Sequence, residues 1–400
     1  MPKPILGVLS PALMWVLAAM LAATPASAHH GISNWDLNQD VTLTGRLTQL
    51  DFISPHAWLH LEIKGADGRP EAWQCEMRSA HALHRSGWTV EMFRVGSTIT
   101  VTGSPERYKP RQCYLSTIRF ADGSSMDRYG QRQLAAAEKA KVAVVRPART
   151  PDGRPNLAGD WAAEQRVMSD PRGQLGTLVP LSQASKMKPG ELPAGQQAFP
   201  GARGSAASLA SDPIRAAWDR PIPVKLTQAG RNAVAKFNPA SRDNPRLRCE
   251  PTGIIFDWTF DSVVNRIVQT PARITLQYGH MDLTRVIHLD RTGVQAKVKP
   301  SRAGYSVGRW EGDVLVVETT GFLPGVLNAD ARILHGAQLR VIERFQLDPA
   351  THQLTRRYEA SDPEYFEDTW RGEDVVLPSE VSYAPYRCKD LGGAPATESR

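Results

Sequence analysis

The sequence predicts a mainly-β protein: an OB-like five-stranded barrel followed by a larger antiparallel β-barrel or sandwich. Three observations carry this. Apolar and polar residues alternate in short runs over 41–123 and again beyond Cys249. Turn signals rich in Gly and Asp separate the runs at close spacing. Helical periodicity is confined to a few brief stretches.

The first unit is placed at 29–123. Val41-Thr42-Leu43-Thr44-Gly45-Arg46-Leu47 alternates with the period of a half-buried strand. A second strand, 58–63, ends at the turn Gly65-Ala66-Asp67-Gly68, and a third covers about 71–77. Residues 79–85 read as a short helix, with Ser79 as N-cap and Gly87 just past its end. Strands at 98–103 and 114–120 complete the unit before the turn Asp122-Gly123. Three strands, a helix and two strands is the element order of an OB barrel.

Residues 124–150 are predicted to connect the two units. The Ala- and charge-rich stretch 131–145 favours a helix that Arg146-Pro147 stops. The second unit, 151–400, opens at Asp152-Gly153-Arg154-Pro155 with a strand at 157–161. Pro, Gly, Ala and Ser without periodicity predict long irregular loops over about 165–223, and 226–237 predicts a helix. Strands follow at 263–269, 273–278, 284–289, 314–319, 338–346 and 354–359, with two more near 368–376 and 380–386.

Residues 1–28 read as a signal peptide: Lys3, an apolar run over 5–23, and the small-residue site Ala26-Ser27-Ala28. No later stretch has the ~18 apolar residues of a membrane span. The expected location is periplasmic or secreted. Cys75, Cys113, Cys249 and Cys388 fit an oxidising space, where four thiols become two disulfides. Of the three possible connectivities, Cys75–Cys113 and Cys249–Cys388 keep each bridge within one unit.

Net charge is +7, and the excess belongs to the Pro/Gly-rich middle. The first unit is neutral, with ten Lys/Arg against ten Asp/Glu. An OB barrel without a basic groove is not expected to bind nucleic acid.

Histidine is unevenly placed, with six of the ten between His29 and His84. Cleavage after Ala28 leaves His29-His30 at the mature start. A terminal amine, of reference pKa about 8, and the imidazole of the same residue form a chelate. One more imidazole gives a three-nitrogen set suited to Cu(II). His56, in Ser54-Pro55-His56-Ala57-Trp58, is the preferred partner. His60 lies about 13 Å further along the strand and cannot easily share its ion. His81 and His84 are three apart on a helix and close enough to share a metal. The metal candidates are therefore His29, His56 and His30.

Two signals concern the second unit. Gly304-Tyr305-Ser306-Val307-Gly308 matches the nucleophile elbow of hydrolases, yet a strand rather than a helix follows it, so it reads as a turn. His280, Asp282 and His288 flank one turn, and with His335 they form an alternative metal or acid/base cluster. Aromatic residues from Trp258 to Trp370 suit a barrel core or the lining of a ligand cavity.

Two segments carry resemblances. His29-His30-Gly31, Ser54-Pro55-His56-Ala57-Trp58 and Gly87-Trp88 resemble an uncharacterised family of exported bacterial proteins, over about 29–123. That family has asparagine where this chain has Ser54. Asp152-Gly153-Arg154-Pro155-Asn156-Leu157-Ala158-Gly159-Asp160-Trp161, and the run from Ser306 to Phe322, resemble a second uncharacterised exported module. The expectation is an exported binding protein, with copper at the histidine start and a small-molecule cavity or envelope-protein surface in the second unit. The competing expectations are a periplasmic enzyme using the second-unit histidines and an envelope interaction protein without catalysis.

Overall fold

Alternation over β1 (Val41–Asp51) places Leu43 and Leu47 inside and Thr42 and Thr44 outside, so the strand buries one face. β1 pairs antiparallel with β2 (Trp58–Lys64), which pairs with β3 (Pro70–Glu76). On its other edge β1 meets β4 (Thr98–Pro105), followed by β5 (Gln112–Arg119) and the short β6 (Ser125–Asp127). A parallel seam between β3 and β5 closes the five-stranded barrel. That seam pairs Gln74, Cys75 and Glu76 with Gln112, Cys113 and Tyr114, and the Cys75–Cys113 disulfide lies at its centre. Closing the 38-residue separation stabilises the fold by about 4 kcal/mol on the chain-entropy account.

Helix α1 (Ala80–Arg85) fills the link between β3 and β4, and the Ser79 hydroxyl caps it by accepting from the Ala82 amide. Leu83, Trp88, Phe93 and Phe120 join the strand interiors in one apolar core. In this computed structural model the described residues are 34–128, 147–168, 178–180, 221–238, 242–289, 298–329 and 332–389. The expected helix at 131–145, and His29 and His30, lie outside them.

The second region is a closed nine-stranded barrel, not a sandwich. Its first strand is β7 (Gly159–Ala163); β8 (Arg166–Met168) and β9 (Leu178–Pro180) form a separate pair. The rest of the expected loop region up to 220 lies outside the described residues. Helix α2 (Gln228–Lys236) is capped by Thr227, and α3 (Phe256–Thr259) precedes the main run of strands. These are β10 (Val264–Gln269), β11 (Arg273–Gln277), β12 (Thr284–His288), β13 (Tyr305–Glu311) and β14 (Val314–Thr320). The hairpin β15 (Gly325–Asn328) and β16 (Ile333–His335) leaves the barrel. β17 (Arg340–Leu347), β18 (Leu354–Ser361) and β19 (Trp370–Pro378) complete it, and β19 returns to pair with β7. All pairings of this nine-stranded barrel are antiparallel except β12 with β13.

Two local expectations are corrected. Residues 304–308 form no turn, because β13 begins at Tyr305 and carries Ser306 and Gly308 inward. Small inward residues hide its alternation: Ser306 meets the Arg285 guanidinium, and a Cβ on Gly308 would lie 2.6 Å from Ile287 Cγ2. Residues 380–386 form no strand. The Tyr383 and Tyr386 amides donate to the carboxylates of Asp160 and Asp282 instead of to a neighbouring strand.

Candidate functional site

His56 follows Ser54-Pro55 where the chain turns into β2, and the Ala57 and Met77 amides tie that turn to the end of β3. This brings His56 Nδ1 to 2.7 Å from Oε1 of the buried Glu76. Burial alone would push the imidazole pKa down, but the Glu76 carboxylate more than offsets it and the net shift is upward. The Glu76 carboxylate is thus the ion-pair partner of the ring and favours its charged form.

The chain reaches the same corner from its amino-terminal side. Trp35 stacks on Tyr114 with ring centroids 5.6 Å apart, and Tyr114 is the register partner of Glu76 across the parallel seam. Trp35 also bridges to Glu106, whose carboxyl is raised by burial and by the nearby charge of Glu76.

His60 and His81 are engaged elsewhere. His60 Nε2 lies 2.8 Å from Asp51 Oδ2. His81 lies 3.1 Å from the Ala384 carbonyl through Nε2 and 3.4 Å from Ser54 Oγ through Nδ1, so both ring nitrogens are engaged apart from His84.

His81 stands at the junction of the two barrels. There Asp261 accepts Arg78 Nη2 at 2.6 Å and Ser79 Oγ at 2.9 Å. Burial raises the Asp261 carboxyl, the Arg78 guanidinium lowers it further, and the net shift is downward. Arg85 donates to the Ala163 carbonyl, and burial lowers its pKa to about 10.

The carboxy-terminal segment 379–389 runs along this junction as a strap. Ser379 and Tyr383 bond Asp160; Tyr386 and Arg387 donate backbone amides to the two Asp282 oxygens. Cys388 is bridged to Cys249, and the Lys389 amide donates to the Ser54 carbonyl of the first barrel.

The second-unit candidates are spread over separate contacts. His280 is buried and pairs with Asp257, Nδ1 to Oδ1 2.6 Å. His288 stacks on Tyr305 at 4.9 Å, whereas the buried His335 contacts the Gly336 carbonyl and the Phe322 ring. Among the described residues no hydrogen bond or ring contact joins these three histidines, and no group of three or more His, Cys, Asp or Glu is arranged to hold a metal. His280 and Asp282 do share the strap: Asp282 anchors the Tyr386 backbone while the Tyr386 ring covers His280 at 5.2 Å.

Ser306 is no hydrolase nucleophile in this setting. Its hydroxyl accepts from Arg285 Nε at 2.8 Å inside the barrel and lies 2.9 Å from Thr319 Oγ1. Arg285 also donates to Glu343, which accepts Arg356 at 3.2 Å; Arg356 in turn reaches Asp374 and the carbonyls of Ile254 and Ile255. This chain of buried charges, with Trp258, Tyr278 and Phe345, packs the barrel interior.

Sequence reasoning passed over Glu76, Arg78 and Tyr386 and gave Asp257 and Asp261 no role. One signal was present: Asp257 interrupts the apolar run Gly253-Ile254-Ile255-Phe256-Asp257-Trp258, and a carboxylate there needs a buried partner.

Among the described residues no helix is long and apolar enough to cross a membrane. Comparison with curated proteins gives no match. Residues 17–113, which include most of the first barrel, match the model of a family of unknown function, DUF6152, and a second all-β region follows.

Proposed function

We propose that this is an exported, periplasmic metal-binding protein that holds copper through a mature amino-terminal His29 and the imidazole of His56. The observation that supports this reading best is the His56–Glu76 pair. Metal-binding histidines commonly have a carboxylate beside the ring, which fixes its orientation. The seating of Trp35 beside the same seam adds support. From Asn34 back to His29 is five residues, a reach of about 17 Å when extended. The amine and ring of His29 with the ring of His56 supply three nitrogens, a set suited to Cu(II). Two disulfides are compatible with the exported compartment that this requires.

Mass spectrometry of the mature protein and copper titration test the proposal together. The expected results are an amino terminus at His29 and a loss of affinity in His56→Ala and, more weakly, in Glu76→Gln. Cleavage elsewhere, or equal affinity in His56→Ala, overturns it.

A further inference from the structure

The His280–Asp257 pair has no part in the copper reading, and its construction exceeds what packing needs. Asp257 Oδ2 accepts the Gly253 amide at 2.9 Å, which fixes the carboxylate. The buried Asn265 donates to the Trp258 carbonyl at 2.6 Å and accepts the Gly279 amide at 2.9 Å. One amide therefore locks the segment bearing Asp257 to the loop bearing His280. Beyond His280 the backbone is strained, with Met281 and Asp282 at φ 54° and 53°.

Asp257 accepts a hydrogen bond from Nδ1–H, so in the neutral ring Nε2 presents a lone pair. That nitrogen is buried, its side chain 1% exposed, and among the described residues it has no hydrogen-bond partner. An unpaired buried acceptor is destabilising unless something occupies it. Three aromatic rings stand around the imidazole, Phe260 at 4.4 Å, Tyr386 at 5.2 Å and Phe256 at 6.4 Å, with the Asp261 carboxylate within electrostatic reach. Such rings disfavour an ion, which would lose its hydration. A metal would also need further ligands, and among the described residues no such group of three exists.

We propose that His280 Nε2, backed by Asp257, is a second binding site for a small uncharged ligand donating one O–H or N–H, closed by the strap 379–389. Tyr386 supplies the cover, and the Cys249–Cys388 bridge holds the strap in place. That bridge is only half-buried, whereas Cys75 and Cys113 are fully buried, so a mild reductant acts first on the strap.

Diethyl pyrocarbonate, which acylates accessible unprotonated imidazole nitrogen, tests the site on the full chain with peptide mapping. In the oxidised protein His280 is expected to resist. After mild reduction, and separately in Tyr386→Ala with both disulfides intact, its modification rises by roughly tenfold or more as the cover opens. Phenol, a neutral ring with one hydroxyl, is expected to slow that reaction. Resistance of His280 in both opened forms, or ready reaction in the oxidised protein, overturns the closed site. Absence of protection by phenol overturns the ligand class. Copper affinity is read separately on His56, so failure here leaves the metal proposal to its own test.

Discussion

Arg78 and Asp261 meet at 2.6 Å across the junction of the two barrels, with their side chains only 15% and 22% exposed. The bond fastens the start of α1 to the residue after Phe260, and Asp261 adopts a left-handed conformation, φ 49°, to make it. Replacing Asp261 by Asn is expected to cost about 1–3 kcal/mol and to separate the unfolding of the barrels in a calorimetric scan. The folded pKa lies below the ordinary 3.8. The contribution is therefore complete above that value and is lost as pH falls through the folded one. A single unshifted transition in Asp261→Asn would contradict this.

Glu343 accepts from both Arg285 and Arg356, and all three side chains are essentially inaccessible. Glu343→Ala leaves two buried guanidinium groups without their shared carboxylate, a loss of about 3–5 kcal/mol in urea unfolding. Glu318→Ala removes only an exposed pair with Arg340 and should cost less than about 1 kcal/mol. Equal midpoints for the two variants would refute the distinction.

Proton titration of His56 by NMR reports on Glu76. The wild-type ring titrates above the ordinary 6.5 because the carboxylate outweighs burial. In Glu76→Gln the main opposition to burial is gone and Arg246 outweighs the remaining pull of Asp261, so the ring is expected to titrate below 6.5. A raised folded pKa stabilises fully below the unfolded value and ceases to do so as pH rises through the folded one. Wild-type stability should accordingly decline through that range, and Glu76→Gln should not follow it.

Gly308→Ala adds a Cβ against Ile287 Cγ2, Leu289 and Leu315 on the inner face of the barrel. Overpacking of this kind costs about 1–3 kcal/mol, read as a lower thermal midpoint with unchanged strand content. An unchanged midpoint would show that the neighbouring strands yield freely.

Period-two alternation with flanking turns made β1, β2, β4 and β17 legible, because one face of each meets water and the other meets a core. It failed at β13, where Ser306 and Gly308 face inward and the space is filled from neighbouring strands. β15 and β16 were too short to show any period. Within the candidate site His56 was legible from its neighbours in sequence, but Glu76 was not. Their approach depends on the turn tying Ala57 to Met77 and Arg78, and no spacing along the chain encodes that. His280 was visible as a residue; its partner Asp257 lies 23 positions earlier on a different element.

The pairing of β7 with β19 has a kinetic consequence. Val376 lies opposite Ala163, so the first barrel strand waits for the last before one of its edges is satisfied. Contacts this remote in sequence slow folding. Until synthesis has passed residue 378, the growing barrel presents an open edge able to pair with another chain. The interval before ring closure is thus when this protein is most exposed to aggregation, and a holding factor at that edge would act there.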